Sequence, residues 1–301
     1  MNKKKIFNIS ESTGAEIQTS KIEQFFYNIF SYFQFKNKKN IAIIKLSGII
    51  GNVGFGKGGL SLDSCNKYLE KAFSLPKLEA VCLTINSPGG SPVQSELIAN
   101  RIIQLSEEKD IPVYAFVEDV AASGGYFLAL AAHKIFVSKS SIVGSIGVIS
   151  RGFGLQELIK KLGIERRVHT QGKNKSILDP FVAEKEQDIK IIKNLQNKIY
   201  NHFVDFVKTR RSGRLNQNDD ILFSGEIWTG ETSVEYGLVD GIDNMYNFIK
   251  NNYDNNINIK YICEKESWIK RKLGISSETD NIVNTVFDQL AEKIEYSKFK
   301  L

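Results

Sequence analysis

Short apolar runs alternate with longer amphipathic stretches along the middle of the chain. The runs are rich in Ile, Val and Phe, a composition typical of buried strands. The amphipathic stretches carry apolar residues three and four positions apart, the spacing of a helix with one buried face. Strands are predicted over 41–51, 79–86, 112–117, 134–138, 144–150 and 164–170. Helices are predicted over 63–75, 91–109, 155–163 and 182–211, and from Tyr126 onward. This alternation is typical of a parallel sheet covered by helices.

Two of these helices show which side chains are expected to face the core. In the helix over 91–109, the apolar face consists of Leu97, Ile98, Ile102 and Leu105. In the helix over 182–211, the apolar positions are Ile189, Ile192, Ile199, Phe203, Phe206 and Val207. Both sets follow the helical period, so both helices are predicted to pack against the core. Cys82 lies inside an apolar run and is predicted to be buried there.

The pattern divides the chain into three parts. Residues 1–40 are polar or aromatic, show no alternation of strands and helices, and form a predicted N-terminal extension. The alternating pattern occupies 41–250, which is the predicted folded domain. Residues 251–301 form a predicted C-terminal extension, with one more strand-like run over 258–263 and an amphipathic segment over 280–298.

Composition and charge argue against several classes of protein. The chain has 301 residues, of which 42% are hydrophobic and 25% charged, as in an ordinary globular protein. Its net charge of +6 comes from basic residues spread along the chain without a nucleic-acid-binding motif, so no nucleic-acid partner is expected. Cys65, Cys82 and Cys263 are far apart and form no CxxC pair, so neither a disulfide framework nor a zinc site is predicted.

The sequence shows neither a membrane span nor a signal peptide. No stretch reaches the roughly 20 apolar residues that a spanning helix needs, and the first residues contain no apolar core of a signal peptide. The segment over 21–35 is rich in Phe and Tyr and has lysines on both sides. Such a segment can lie in a membrane interface, or it packs on the protein's own core or on a second subunit. The expected location is the cytoplasm or the periphery of the inner membrane.

The stretch PVYAFVEDVAASGGYFLALAA, residues 112–132, contains a serine at a predicted strand-to-helix turn. The strand is predicted to end near Glu118 and Asp119 and the helix to begin near Tyr126, which leaves Ser123 at the bend. One interpretation makes Ser123 a helix cap whose hydroxyl accepts hydrogen bonds from the first-turn amides. The other makes it a nucleophile on a tight turn whose free amides stabilise an oxyanion.

A serine nucleophile needs a base, and the histidines give it little support. His133 lies at a predicted helix end, where a structural role is expected, and His202 is predicted to lie on the surface of the long helix. His169, at the end of a predicted strand, is the remaining histidine candidate. The loop QGKNKS, residues 171–176, supplies two lysines as the other option.

Five motifs of the chain together resemble one known family. They are INSPGGSPVQS (85–95), AASGGYFLAL (121–130), IVGSIGVI (142–149), QGKNKS (171–176) and FSGEIWTGETSVEYGLVDGI (223–242). Their order and spacing, over residues 41–245, resemble the bacterial signal peptide peptidase A, or protease IV, family. The resemblance implies a Clp-protease/crotonase-like α/β fold with a single catalytic unit over 41–250.

The resemblance also implies roles for five residues. The family's nucleophile falls on Ser123, and its general-base lysine falls on Lys175. Ser145, in GSIG, matches the serine that helps to hold that lysine. Gly90 and Gly124 match the residues whose backbone N–H groups form the oxyanion hole. A lysine base works only as a neutral amine, a form that burial favours.

The function implied by the resemblance is that of a serine endopeptidase without a cofactor or metal. Its substrates would be unfolded or apolar peptides, such as signal-peptide remnants, cleaved through an acyl-enzyme intermediate. A homo-oligomer with active sites shared between subunits is also implied, and Lys173 is the rival base. Two alternatives stay open: a crotonase-type acyl-CoA enzyme with the same fold and an oxyanion hole, and a catalytically inactive scaffold at the membrane.

Overall fold

The computed structural model of the chain describes residues 38–51, 59–253 and 256–262, and these ranges contain a sheet of eight strands. The strands are β1 (Lys39–Ser47), β2 (Leu78–Ser87), β3 (Val113–Ala122), β4 (Lys134–Val137), β5 (Ile142–Gly144), β6 (Ile227–Thr229), β7 (Gly241–Ile242) and β8 (Ile257–Ile262). Their order is β6-β5-β3-β2-β1-β8, and β4 pairs with both β3 and β7. All pairs are parallel except β5 with β6.

Helices cover both faces of this sheet. Within the described ranges they are α1 (Leu62–Phe73), α2 (Pro92–Lys109), α3 (Gly124–Ala129), α4 (Gln156–Lys161), α5 (Glu186–Arg210), α6 (Asp219–Leu222), α7 (Gly230–Glu235) and α8 (Met245–Asn252). Helices α1, α2 and α3 bury apolar side chains in one core cluster, and α8 buries its own in a second cluster. The predicted α/β fold, a parallel sheet covered by helices, is confirmed.

The pleat of β1 shows how the two clusters are divided. Ile41 and Ile43 belong to the cluster with α8, whereas Ala42, Ile44 and Leu46 belong to the cluster with α1 and α2. Successive side chains of a strand point to opposite faces, so a strand that is apolar at nearly every position has to be covered on both sides. This is why the run over 41–51 shows no polar alternation.

Three strands differ from the sequence prediction. The predicted strand over 164–170 is wrong, because this segment is irregular and exposed and pairs with none of the eight strands. The run over 144–150 is also irregular after Gly144, where positive φ angles at Gly144 and Ser145 turn the chain out of the sheet. By contrast, β3 continues as far as Ala122, because its last three residues pair with β5.

Two predicted helix faces need correction. In α2, Ile98, Ile102 and Leu105 are buried as predicted, but Leu97 is 40% exposed. In α5 the predicted core contact is limited to the C-terminal end, where Phe203 and Val207 are buried. The positions Ile189, Ile192, Ile199 and Phe206 are half-buried. Helical spacing showed that α5 has an apolar face, but it did not show how much of that face the core covers.

The remaining predictions concern burial and the two extensions. Cys82 is fully buried, as predicted, and desolvation raises the pKa of its thiol to about 12. The segments over 21–35 and 280–298, and Cys263, lie outside the described residues. Among the residues that are described, no helix has the length and apolar character needed to cross a membrane.

The contrast between neighbouring residues of α2 gives a test of this packing. Ile98→Ala should lower the free energy of unfolding by about 2–5 kcal/mol, because it leaves a cavity in the main core. Leu97→Ala, one position along the same helix, should lower it by less than about 1 kcal/mol. Urea-induced unfolding followed by circular dichroism measures both values. Equal losses in the two variants would contradict the orientation of α2.

Candidate active site

Ser123 stands at the junction of β3 and α3 in a backbone conformation that is rare for serine. Its φ is 51° and its ψ is −121°. Such a conformation costs on the order of 1–3 kcal/mol for a residue with a Cβ, and it persists only where the surroundings fix it. Two backbone hydrogen bonds do so: the Ser123 N–H donates to the Gly144 carbonyl at 2.8 Å, and the Phe127 N–H donates to the Ser123 carbonyl at 3.0 Å.

The Ser123 side chain does not cap the helix. Ser123 occupies the N-cap position of α3, but its hydroxyl accepts no hydrogen bond from the first-turn amides. The interpretation of this serine as a capping side chain is therefore wrong. A strained serine at a strand-to-helix turn, whose hydroxyl does not cap the helix, has the local geometry of a nucleophile elbow.

The SPGG turn after β2 packs directly against the serine turn. A Cβ on Gly89 would lie 2.9 Å from both the Cβ of Ser123 and the amide nitrogen of Gly124. Gly90 forms an isolated parallel β-bridge with Ile50, and a Cβ on Gly90 would collide with the Ile50 carbonyl oxygen. Only glycine allows the two backbone turns to approach this closely.

The start of α2 fixes the SPGG turn from the other side. Ser91 caps α2 through a hydrogen bond from the Gln94 N–H, and Pro92 occupies the first turn. The Ser91 N–H donates to the Ile50 carbonyl at 2.8 Å, and the Ile50 N–H donates to the Gly89 carbonyl at 2.9 Å. Gly89 and Ser91, the two neighbours of Gly90, are thus both fixed by backbone hydrogen bonds to Ile50.

Two backbone amides of the serine turn and the SPGG turn have no hydrogen-bond acceptor in the part of the chain that the structure describes. Neither the Gly90 N–H nor the Gly124 N–H donates a hydrogen bond to any residue that the structure describes. Gly124 is buried, and a buried amide without a protein partner is rare. The two N–H groups are suited to stabilise negative charge on an oxygen bound next to Ser123.

Ser145 lies on the other side of the serine turn. It follows Gly144, whose carbonyl accepts the Ser123 N–H, and its own N–H donates to the Glu226 carbonyl at 2.6 Å. A Cβ on Gly144 would lie 2.6 Å from the Trp228 ring. The motif that contains Glu226 and Trp228 therefore supports the turn that carries Ser145. The single chain brings together four of the five predicted site residues: Ser123, Gly90, Gly124 and Ser145.

Lys175 lies apart from this group in the single chain. It is exposed, its N–H donates to the Gly172 carbonyl at 3.1 Å, and no contact among the described residues joins it to Ser123 or Ser145. The rival base, Lys173, is exposed as well.

Both lysines belong to a long excursion from the core, residues 147–185, which we call the arm. Every residue of the arm is exposed or half-buried. Its exposed apolar side chains are Ile149, Phe153, Leu158, Leu162, Ile164, Val168 and Val182, most of them more than half exposed. The arm therefore presents seven large apolar side chains to solvent in the single chain.

The histidines do not replace the lysine. His133 has a structural role, as predicted, because its Nδ1 accepts the Val113 N–H at 3.0 Å. His202 is exposed, as predicted, with its Nε2 3.4 Å from a carboxylate oxygen of Glu96. His169 was expected to end a strand, but it lies in the irregular, exposed part of the arm.

Comparison with known proteins agrees with this geometry. A family model described as Peptidase family S49 matches residues 106–256, which is half of the chain. The chain belongs to peptidase family S49. Membership confirms the resemblance to the family of signal peptide peptidase A and protease IV.

Three relatives show the extent of the similarity. A protein of Brucella melitensis, named as the Na(+)/H(+) antiporter NhaA, is 48% identical over 244 residues, which are 80% of this S49 chain and 33% of that protein. The chloroplast serine protease SPPA of Arabidopsis thaliana is 32% identical over 216 residues, or 69% of this chain and 31% of that one. A protein of Synechocystis that is named as a protease is 34% identical over 212 residues, or 69% and 71%. The chain thus spans about a third of the length of the first two relatives.

One feature of the S49 site was not predicted from the sequence. Gly90 was assigned a role, whereas Gly89, whose backbone touches the serine turn, was not. The signal was present in the sequence, because two successive glycines after a strand permit a backbone approach that one does not. Which of the two glycines touches Ser123 depends on the register between β2 and β3.

The contact of Gly89 with the serine turn can be tested against a matched glycine. Gly89→Ala should lower the free energy of unfolding by at least about 2 kcal/mol more than Gly48→Ala. The two glycines have similar φ angles, 104° and 100°, but a Cβ on Gly48 meets no atom within 4 Å. The comparison therefore separates steric collision from backbone strain. Chemical denaturation measures the difference, and equal losses would show that the two turns do not touch.

Proposed function

We propose that this S49 protein is a serine endopeptidase that cleaves unfolded or apolar peptides, such as signal-peptide remnants, with Ser123 as nucleophile. The observation that carries the proposal is the conformation of Ser123: among the described residues, its hydroxyl and the N–H groups of Gly90 and Gly124 have no hydrogen-bond partner. Storing backbone strain at a serine brings no benefit to stability, whereas a reactive hydroxyl at an oxyanion site requires it. Family membership and the serine protease name of the Arabidopsis relative support the same activity.

The proposed reaction follows from the four grouped residues and a lysine base. The Lys175 amine takes the proton from the Ser123 hydroxyl while Oγ forms a bond to the peptide carbonyl carbon. The oxyanion accepts hydrogen bonds from the Gly90 and Gly124 amides. The C–N bond then breaks, and the lysine gives its proton to the leaving amine. A water molecule, deprotonated by the same lysine, hydrolyses the acyl-enzyme and restores Ser123. Ser145 holds the lysine amine in place.

The lysine is proposed to act in the active site of a neighbouring subunit. In the single chain the arm leaves Lys175 exposed and away from Ser123, while its apolar side chains cover no part of the core. Packing of the arm against a second copy of the chain would bury both the apolar side chains and the lysine. Burial disfavours the ammonium form of a lysine, which is the change that a base requires. The proposed active state is therefore a homo-oligomer with shared sites.

The proposed setting is the cytoplasm or the periphery of the inner membrane. Apolar peptides released from membranes fit this location, and the aromatic segment over 21–35, outside the described residues, is the proposed membrane contact. No cofactor and no nucleic acid enter the proposed reaction.

The two alternatives make different demands on Ser123. A crotonase-type acyl-CoA enzyme uses the oxyanion amides but no serine nucleophile, so a fluorophosphonate would leave Ser123 unlabelled. An inactive scaffold at the membrane would bind lipid vesicles without hydrolysing peptides. The strained conformation of Ser123 favours the peptidase over both.

The first test compares three variants in peptide hydrolysis. Ser123→Ala and Lys175→Ala should each lower the hydrolysis rate of casein or fluorogenic peptides by more than about 1000-fold, because each removes a group that acts in the bond-breaking steps. Lys173→Ala, two residues from Lys175 in the same loop, should stay within about threefold of the unchanged protein.

Controls connect the loss of activity to the chemistry. Circular dichroism and gel filtration should show the same fold and assembly for all three variants. Full activity in correctly folded Ser123→Ala would reject the serine as nucleophile. A loss confined to Lys173→Ala would exchange the roles of the two lysines.

The second test concerns shared sites. Ser123→Ala and Lys175→Ala chains, each inactive alone, should regain about a quarter of the activity when equal amounts are mixed and exchange subunits at random, since about a quarter of the sites then combine an intact serine with an intact lysine. Subunit exchange is monitored by energy transfer between labelled chains. Proven exchange without any return of activity would contradict the sharing.

A further inference from the structure

A guanidinium group connects the end of the serine helix with the end of the helix that follows the arm. Arg210, the last residue of α5, donates from Nε to the Leu130 carbonyl at 2.7 Å. Its Nη2 donates to the carbonyls of Ala131 and Ala132 at 3.1 and 3.2 Å. These carbonyls follow directly after α3, the helix that begins next to Ser123. The last carbonyls of a helix lack partners within it, and Arg210 supplies three donors to this end.

The geometry of this contact requires arginine. The planar fork of a guanidinium directs several N–H donors at neighbouring oxygens at once, whereas a lysine ammonium acts as a single point charge. The positive charge also lies at the negative end of the α3 dipole. A lysine at position 210 would keep the charge but not the simultaneous contacts.

Arg211 and Tyr126 connect the end of α5 and helix α3 to the same short segment of the chain. Arg211, which is buried, donates to the Gly237 carbonyl at 2.9 Å and to Asp240 at 2.7 Å. The Tyr126 hydroxyl of α3 donates to the Leu238 carbonyl at 2.7 Å. The segment from Gly237 to Asp240 thus binds both α3 and the end of α5. It belongs to the GLVDGI stretch of the sequence, to which the proposed reaction assigns no role.

The helix between these contacts and the serine is short. With six residues, α3 is about 9 Å long, so it moves as one body and a rotation at its carbonyl end is passed to its amide end. The amide end carries Gly124 and, one residue earlier, Ser123. On the other side of Arg210, α5 leads back to the arm that carries Lys175. Arg210 therefore joins the carbonyl end of α3 to the last turn of α5.

We infer that Arg210 is a positioning residue, which fixes the serine turn by holding the carbonyl end of α3 against the last turn of α5. The inference rests on the proposed function. A displacement of about 1 Å in a reacting group lowers the rate by on the order of 100-fold, while the binding of an extended peptide tolerates it. Loss of Arg210 should therefore lower kcat and leave KM nearly unchanged.

The test compares Arg210→Met and Arg210→Lys with Arg101→Met in the full-length protein. Arg101 is a matched control, since its guanidinium also makes three hydrogen bonds, at 3.0, 3.0 and 2.8 Å, but all of them to α1 and α2. Arg210→Met should lower kcat for a fluorogenic peptide about 10- to 100-fold with KM within about twofold. Arg210→Lys should recover part of the loss, and Arg101→Met should keep kcat within about twofold. Thermal unfolding of each variant is measured beside the kinetics.

The outcomes separate this inference from the proposed function. If the protein without substitutions hydrolyses no peptide, or if its hydrolysis does not depend on Ser123, the proposed function and the inference are both overturned. Ser123-dependent hydrolysis in which Arg210→Met keeps the original kcat would overturn the inference alone. An equal fall of kcat in Arg101→Met would reduce the role of Arg210 to general stability. If Arg210→Met does not fold, Arg210→Lys decides, and an original kcat in that folded variant would overturn the inference.

Discussion

The site depends on the close approach of two backbone turns that follow β2 and β3. A Cβ at Gly89, Gly90, Gly124 or Gly125 would meet backbone or side-chain atoms at less than 3.0 Å. The parallel strands deliver both turns to the same edge of the sheet, and the glycines allow them to touch. Side chains between the turns would keep the Gly90 amide away from Ser123. The missing Cβ atoms therefore let the two turns meet, as the proposed oxyanion site requires.

The molecule divides into a core, which buries its apolar side chains within the single chain, and an arm, which leaves them exposed. In the core, strands that are apolar on both faces are covered by α1, α2 and α3 on one side and by α8 on the other. The arm, residues 147–185, contributes no buried residue in the single chain and presents apolar side chains to solvent. The serine turn lies in the core, and the proposed base lies in the arm. The contacts of Arg210, Arg211 and Tyr126 connect the end of α5, the segment from Gly237 to Asp240 and α3, so a stretch without catalytic groups supports the helix that follows Ser123.

Most of the fold and part of the site could be predicted from the sequence. Apolar runs and helical spacing identified β1 to β4 and the helices α1, α2 and α5, because buried strands and amphipathic helices leave strong local patterns. The prediction over 164–170 was wrong because a strand needs a neighbour in space, which a local pattern does not show. Leu97 was assigned to the core because a helical pattern gives the direction of the apolar face but not its exact width. The motif order indicated Ser123, Ser145, Gly90 and Gly124, and the structure brings these four together, although their catalytic roles stay a prediction.

The sequence by itself determined the strand-to-helix turn, the glycine positions and the kind of chemistry that a serine and a lysine can share. These features are local, since they depend on residue type and on spacing along the chain. The tertiary structure decided that Ser123 is not a helix cap, because its φ of 51° is imposed by the neighbouring turn and by the Gly144 carbonyl. It also decided that Lys175 does not meet Ser123 within the single chain, because the arm leaves the sheet after Gly144. The relative position of two distant groups follows from packing, and packing depends on contacts between residues that are far apart in the sequence.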